Sequence, residues 1–322
     1  MSRSDYNIIG NLDDKLHISE ISVLHEKILD YFKNYEDDTV FYFQNKSKDF
    51  EICAFGNLKL NISQKELLKL TSVDNRLYLI YLKSFYDNEE DQDHEWNGLL
   101  MDTYLPKMVI IRRDKEIKAY EYKIGKVNYK LKRSSLDNNF SNQISTRTEN
   151  PNVNKWVKNI EHAHERMRSE DIEKIVLSRK IILKYEKDIS SKSYFLSKCE
   201  STVNSYHIFY QSNQKCYLSL SPETLLKIEN NFVIVDCIAG TIGKSEDKEK
   251  KEIHNKFLND QKELNEHRFV SKSVEEALES IGIRADYLFK EKILELKHVD
   301  HIHSLIRAQV NDISVDDLIN ML

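Results

Sequence analysis

The fold turns on the segment YHIFYQSNQKCYLSLSPETLLKIENNFVIVDCI (206–238). Tyr206–Tyr210 and Cys216–Leu220 are short aromatic and aliphatic runs joined by the turn-like SNQK, and Leu225–Ile228 and Phe232–Ile238 are joined by ENN. Short apolar runs linked by tight polar turns predict an antiparallel meander. After Gly243 the charged run KSEDKEKKEIHNK predicts a helix start. The helix is expected to continue through FLNDQKELNEHRFVSKSVEEALESIGI, where Leu264, Val270, Val274, Ala277, Leu278 and Ile281 form an apolar stripe and Gly282 ends it.

Working back from the meander, Lys174–Tyr185 reads as a strand. Alternation places Ile175, Leu177, Arg179, Ile181 and Leu183 on one face, with Lys174, Val176 and Ser178 on the other. A helix from Asn152 carries Val153, Trp156, Val157, Ile160, His164 and Met167 at helical spacing, with His164 expected to be packed. Residues 132–150 are polar and aperiodic and read as a loop. Further upstream, Ile18–Phe32 has helical periodicity, and Thr39–Gln44, Phe50–Phe55 and Leu77–Phe85 read as strands. Ser63 with Glu66 makes a capping box for a short helix to Leu70, and Asp87–Glu95 is an acidic, solvated connection.

Composition narrows the class. With 40% hydrophobic and 31% charged residues the 322-residue chain is an ordinary globular sequence, long enough for a large core. The net charge of −5 without a basic block does not point to nucleic acid. No apolar run approaches the roughly 20 residues that span a bilayer, and the N-terminus has no signal-peptide core, so a cytoplasmic location without membrane association is expected. Cys53, Cys199, Cys216 and Cys237 form no CxxC pair and read as reduced, partly buried thiols.

Five segments occur in a telling order: IEKIVLSRK (172–180), LSPETLLKI (220–228), CIAGTIG (237–243), NDQKELNEHRF (259–269) and KHVDHIHSLI (297–306). Together they resemble the chorismate-binding enzymes, which include the isochorismate, salicylate, anthranilate and aminodeoxychorismate synthases. The resemblance spans about Asn150 to Asp312; upstream of it, Tyr104-Leu105-Pro106 stands where the family has an F-x-P strand. It implies an α+β fold of large antiparallel β-sheets enclosed by helices. Residues 1–145 would be a divergent N-terminal part of that fold and 146–322 the chorismate-binding core.

The resemblance also implies roles. Lys174 matches the lysine that takes a proton from the attacking water in isochorismate and salicylate synthases, a task that needs a lysine able to lose its proton near neutrality. Glu223, in Ser221-Pro222-Glu223, matches the general acid for the leaving 4-hydroxyl and must hold a proton near pH 7. By itself Ser-Pro-Glu reads as a helix start, serine capping and proline at the first position. Ala239, Gly240 and Thr241 would line the substrate; alanine at 239 departs from aminodeoxychorismate synthase, which has a lysine there. Glu263 and Glu266, three apart on a helix face, would supply half of an Mg²⁺ site, with Glu266 the direct ligand. His267 would be a packing residue or support the ligands, and His301 would line the pocket. The implied activity is isochorismate synthase, feeding menaquinone or catechol siderophores, with salicylate synthase as the alternative.

The family continues beyond a segment like residues 310–322 with further strands, a substrate-holding tyrosine and arginine, and a second glutamate pair. The expectation is therefore either that a further segment or partner chain supplies them, or that this chain is an incomplete or non-catalytic homologue.

Overall fold

In the computed structural model, residues 3–7, 15–58, 60, 74–82, 102–125, 129–134, 143–169, 172, 174–244, 249–310 and 318 are described. In chain order the elements are β1 (Arg3–Asn7), β2 (Lys15–Ile21), α1 (Ile28–Asn34), β3 (Tyr35–Glu36), β4 (Thr39–Gln44), β5 (Phe50–Phe55), β6 (Ile80–Leu82), β7 (Asp102–Tyr104), β8 (Met108–Arg113) and β9 (Glu116–Ile124). They continue with β10 (Lys132–Arg133), β11 (Ile144–Asn150), α2 (Val153–Arg168), β12 (Lys180–Tyr185), α3 (Ser191–Cys199), β13 (Tyr206–Ser212), β14 (Lys215–Ser221), β15 (Lys227–Glu229) and β16 (Phe232–Gly243). The last are α4 (Lys250–Phe257), α5 (Gln261–Ser280), β17 (Ala285–Glu295) and β18 (Val299–Gln309). The fold is α+β, as expected, with every sheet pairing among the described residues antiparallel.

Two compact units emerge, residues 1–134 with 197–322, and residues 135–196. The larger unit holds an eight-stranded sheet of order β1-β2-β9-β8-β5-β4-β13-β14 and a four-stranded sheet of order β15-β16-β18-β17. Central strands of the large sheet are buried on both faces, hence the near-continuous apolar runs FEICAF and MVIIRR. Leu16, Ile18, Ile52, Ala54, Val109, Ile111 and Tyr122 pack on one face with Leu77, Ile80 and Leu105. On α1, Phe32 lies 5.0 Å from both the Tyr42 and Phe209 rings. Burying a side chain of this size is worth about 1.5–3 kcal/mol.

In the small sheet one face packs on α5: Val233, Val235, Cys237, Ile306 and Ala308 are buried with Leu278. Strand alternation then turns Ile234, Asp236, His303 and Leu305 toward a cavity of about 1000 Å³ that is also lined by Phe43, Lys46, Tyr206 and Glu223.

Several expectations need correction. Ile18 lies in β2, paired with Tyr122 of β9, and helix begins only at Ile28. A ladder to β9 with Leu16 and Ile18 buried together outweighs the helical spacing. β4 and β5 have the expected bounds. Within Leu77–Phe85 only Ile80–Leu82 is strand, and residues 83–85 lie outside the described ones. The Ser63–Leu70 helix and the Asp87–Glu95 connection also lie outside them.

Residues 132–150 contain β10 and β11, and β11 pairs with β12. Its sequence ISTRTEN has no apolar alternation, because a backbone ladder alone aligns it. The meander divides: β13–β14 closes the large sheet and β15–β16 opens the small one. Instead of one helix after Gly243 there are two, because Asp260 accepts from the Lys262 and Glu263 N–H groups and restarts the chain as α5. Gly282 (φ 75°) follows that helix as expected.

In the smaller unit α2 forms as expected, with Asn152 Oδ1 accepting the Lys155 N–H at 3.0 Å. The apolar face of α2 is largely open, with Val153 58% and Val157 47% exposed, and His164 is exposed rather than packed. No two of the four cysteines are joined, and Cys53 and Cys237 are buried. Among the described residues no helix is long and apolar enough to cross a membrane.

Candidate active site

Glu223 lies in the passage from the large sheet to the small one. Pro222, without an N–H, cannot continue the β14 ladder, and no helix follows. The expected serine cap survives as a turn in which Ser221 Oγ accepts the Glu223 N–H at 3.3 Å. Glu223 thus sits at the rim of the cavity with its residue surface open to solvent. Partial burial of its carboxyl raises the pKa above the usual carboxylate value, and the Asp236 carboxylate adds to this; His301 and Lys46 pull the other way.

The small sheet carries a bulge at the expected glycine. Ala239 pairs with Ile302 and Thr241 with His301, leaving Gly240 as the extra residue at φ 78°. A Cβ there would stand 3.2 Å from the Glu263 carbonyl oxygen and 3.4 Å from Glu263 Oε2, so the absence of a side chain lets the strand approach the first turn of α5. The Thr241 N–H donates to Glu263 Oε2 at 3.1 Å. Thr241 Oγ1 and His301 Nδ1 are 3.0 Å apart, and the same nitrogen lies 3.2 Å from the Gly240 oxygen. Gly240, Thr241, Glu263 and His301 therefore form one hydrogen-bonded group, with Ala239 beside it on β16.

Glu263 also accepts from Lys262 Nζ at 2.9 Å. Glu266, one turn further, is exposed on α5. His267 is fully buried, its Nε2 2.7 Å from Ser304 Oγ, and burial lowers its pKa. Among the described residues no group of three or more His, Cys, Asp or Glu side chains is arranged to hold a metal. Lys174 lies in the smaller unit, in irregular chain before β12 rather than on the expected strand. Pairing with β11 starts only at Lys180, opposite Asn150.

Two residues at the cavity, Asp236 and Lys46, escaped the sequence reading. Asp236 is buried and bonds His303 Nε2 at 2.7 Å, the Thr224 N–H at 3.0 Å and Lys46 Nζ. Burial alone would raise its pKa, but the bonds from His303, Lys46 and Thr224 outweigh that and hold the carboxyl well below its usual range. A signal existed: one carboxylate inside the apolar run FVIVDCI must be paired to be tolerated. Lys46 carried no such signal.

The family model described as chorismate binding enzyme matches residues 100–322. Isochorismate synthase MenF of Bacillus subtilis is 27% identical over 169 residues, 52% of this chain and 36% of that protein. Anthranilate synthase component 1 of Archaeoglobus fulgidus is 33% identical over 113 residues, 35% of this chain and 26% of that protein. The match thus spans well under half the length of these relatives. The solved structure of the menaquinone-specific isochorismate synthase MenF from Escherichia coli superposes with a TM-score of 0.79 at 15% identity, covering 96% of this chain and 74% of that one, which shows a shared fold. With the family model spanning most of its length, the chain belongs to the chorismate-binding enzymes.

Proposed function

We propose that this chain is an isochorismate synthase, converting chorismate to isochorismate by addition of water at C2 with loss of the 4-hydroxyl. The observation that carries the reading is Glu223: a carboxyl with raised pKa at a cavity rim, facing His301 of the Gly240–Thr241–Glu263 group. A carboxylic acid that keeps its proton toward neutrality can deliver it to a departing hydroxyl.

In this mechanism Lys174 accepts a proton from the water that bonds to C2. The ring double bond shifts, the C4–O bond breaks, and Glu223 supplies the proton that lets the hydroxyl leave as water. Ala239, Gly240 and Thr241 line the ring, with Thr241 held by Glu263 and His301. Glu263 and Glu266 fit an Mg²⁺ ion in donor chemistry: hard carboxylate oxygens on successive turns, leaving positions for water and substrate. When bound, the ion would neutralise the substrate's ring carboxylate. The product would feed menaquinone or catechol siderophore synthesis.

The test is incubation of the chain with chorismate and Mg²⁺, with products separated by chromatography. Isochorismate formed by the wild type and not by Lys174→Ala supports the reading. Salicylate with pyruvate transfers it to the salicylate synthases, and absence of turnover overturns it.

A further inference from the structure

We propose that Lys46 and Asp236 are positioning residues for Glu223, holding the peptide on both sides of it so that its carboxyl stays at the cavity rim. The inference rests on the reading of Glu223 as the acid and assigns a role to two residues outside the family segments.

The geometry is a clamp. Lys46 Nζ donates to the Pro222 oxygen at 2.9 Å, on the N-terminal side of Glu223, and to Asp236 Oδ2 at 2.5 Å. Asp236 holds the C-terminal side twice: its Oδ2 accepts the Thr224 N–H at 3.0 Å and its own N–H donates to the Thr224 oxygen at 3.2 Å. The Thr224 hydroxyl is 2.8 Å from Tyr206 OH, tying the same turn to β13. Glu223 is thus flanked by two residues fixed from different sheets, β16 on one side and the β4–β5 turn on the other.

Both arms of the clamp are preorganised. Lys46 sits in the turn Asn45-Lys46-Ser47-Lys48-Asp49, where Asn45 Oδ1 accepts the Phe50 N–H at 3.1 Å and Asn45 Nδ2 donates to Ser47 Oγ at 3.1 Å. Lys48 takes φ 58° to close that turn. Asp236 is steadied by His303, whose ring meets Phe289 edge-on at 4.9 Å. The titratable groups facing Glu223 are Asp236 from β16, His301 from β18 and Lys46 from the β4–β5 turn. The two clamp residues carry opposite charges, so their removal has opposite electrostatic consequences for Glu223.

The experiment is a carboxyl ¹³C NMR titration of the full chain, with Glu223 assigned by the signal lost in Glu223→Gln. Lys46→Met should raise the Glu223 midpoint and Asp236→Asn should lower it, each by about one unit or less. Lys46→Arg should restore the wild-type midpoint. The high-pH limb of chorismate turnover should move in the same two directions. Midpoints that stay put, or move the same way in both variants, overturn the proposal. If Asp236→Asn does not fold, the Lys46→Met and Lys46→Arg pair decides alone. The NMR readout needs no turnover. Opposed shifts in a chain that leaves chorismate untouched would refute the enzymatic reading and keep the clamp; turnover without shifts would refute the clamp only.

Discussion

The backbone N–H of Thr241 donates to Glu263 Oε2 at 3.1 Å, joining the bulge of β16 to the first turn of α5 through a main-chain to carboxylate bond. Charge-assisted bonds of this kind are stronger than neutral ones. This bond keeps Glu263 turned toward the sheet, and Gly240 is what allows the approach.

Gly240→Ala is expected to be destabilising by about 1–2 kcal/mol from the left-handed conformation alone. The 3.2 Å contact with the Glu263 carbonyl adds to it. Urea denaturation should show a lower midpoint with an unchanged slope. An unaltered midpoint would mean that the bulge relaxes without cost.

Asp260→Ala removes the cap of α5 and should cost about 1 kcal/mol. Because Asp260 also accepts the Glu263 N–H, at 3.2 Å, the loss should be felt at the Thr241 contact. Amide exchange at Thr241, compared between Asp260→Ala and Asp260→Asn, checks this: protection should fall in the first and largely return in the second.

Glu223→Gln and Lys174→Ala should each lower chorismate turnover by roughly 10²–10⁴-fold, the usual span of an acid or base contribution. Neither side chain is in a packed core, so melting temperatures should stay close to wild type. A variant that keeps full turnover removes its residue from the mechanism.

Acid should destabilise the larger unit through Asp300 and Asp236. Burial alone would raise the Asp300 pKa, but Lys244 Nζ at 2.8 Å and His254 Nε2 at 2.7 Å outweigh it and lower the value from the usual 3.8. A folded-state pKa below the unfolded one contributes stability that is complete above the unfolded value and is lost as pH falls through the folded one. Denaturation midpoints should therefore drop as pH falls below about 4. Asp300→Asn should be less stable than wild type at pH 7, because Lys244 loses its counter-charge and His254 its carboxylate partner, and its curve should be flatter in acid. A wild-type curve that stays level below pH 4 would contradict this assignment.

Much of the larger unit was legible in the sequence. FEICAF and the hairpin around SNQK announced their strands because apolar runs between turn residues leave little choice. The glycine of CIAGTIG and the KELNEH turn stood out as candidate site elements, and the structure brings Gly240, Thr241, Glu263 and His301 into one bonded group. Less was legible where pairing overrides periodicity. Ile18 had helical spacing yet joined a sheet, ISTRTEN had no spacing yet formed a strand, and Ser-Pro-Glu read as a helix start yet became a turn between sheets.

By itself the sequence determined the family and the α+β class, because both are written in residue types at short spacings. Only the tertiary structure decided what surrounds Glu223. Lys46 and Asp236 lie 190 residues apart, and nothing local to either names the other. Their contact exists only once the β4–β5 turn of one sheet meets β16 of the other, where a buried carboxylate requires a partner and the nearest available cation supplies it.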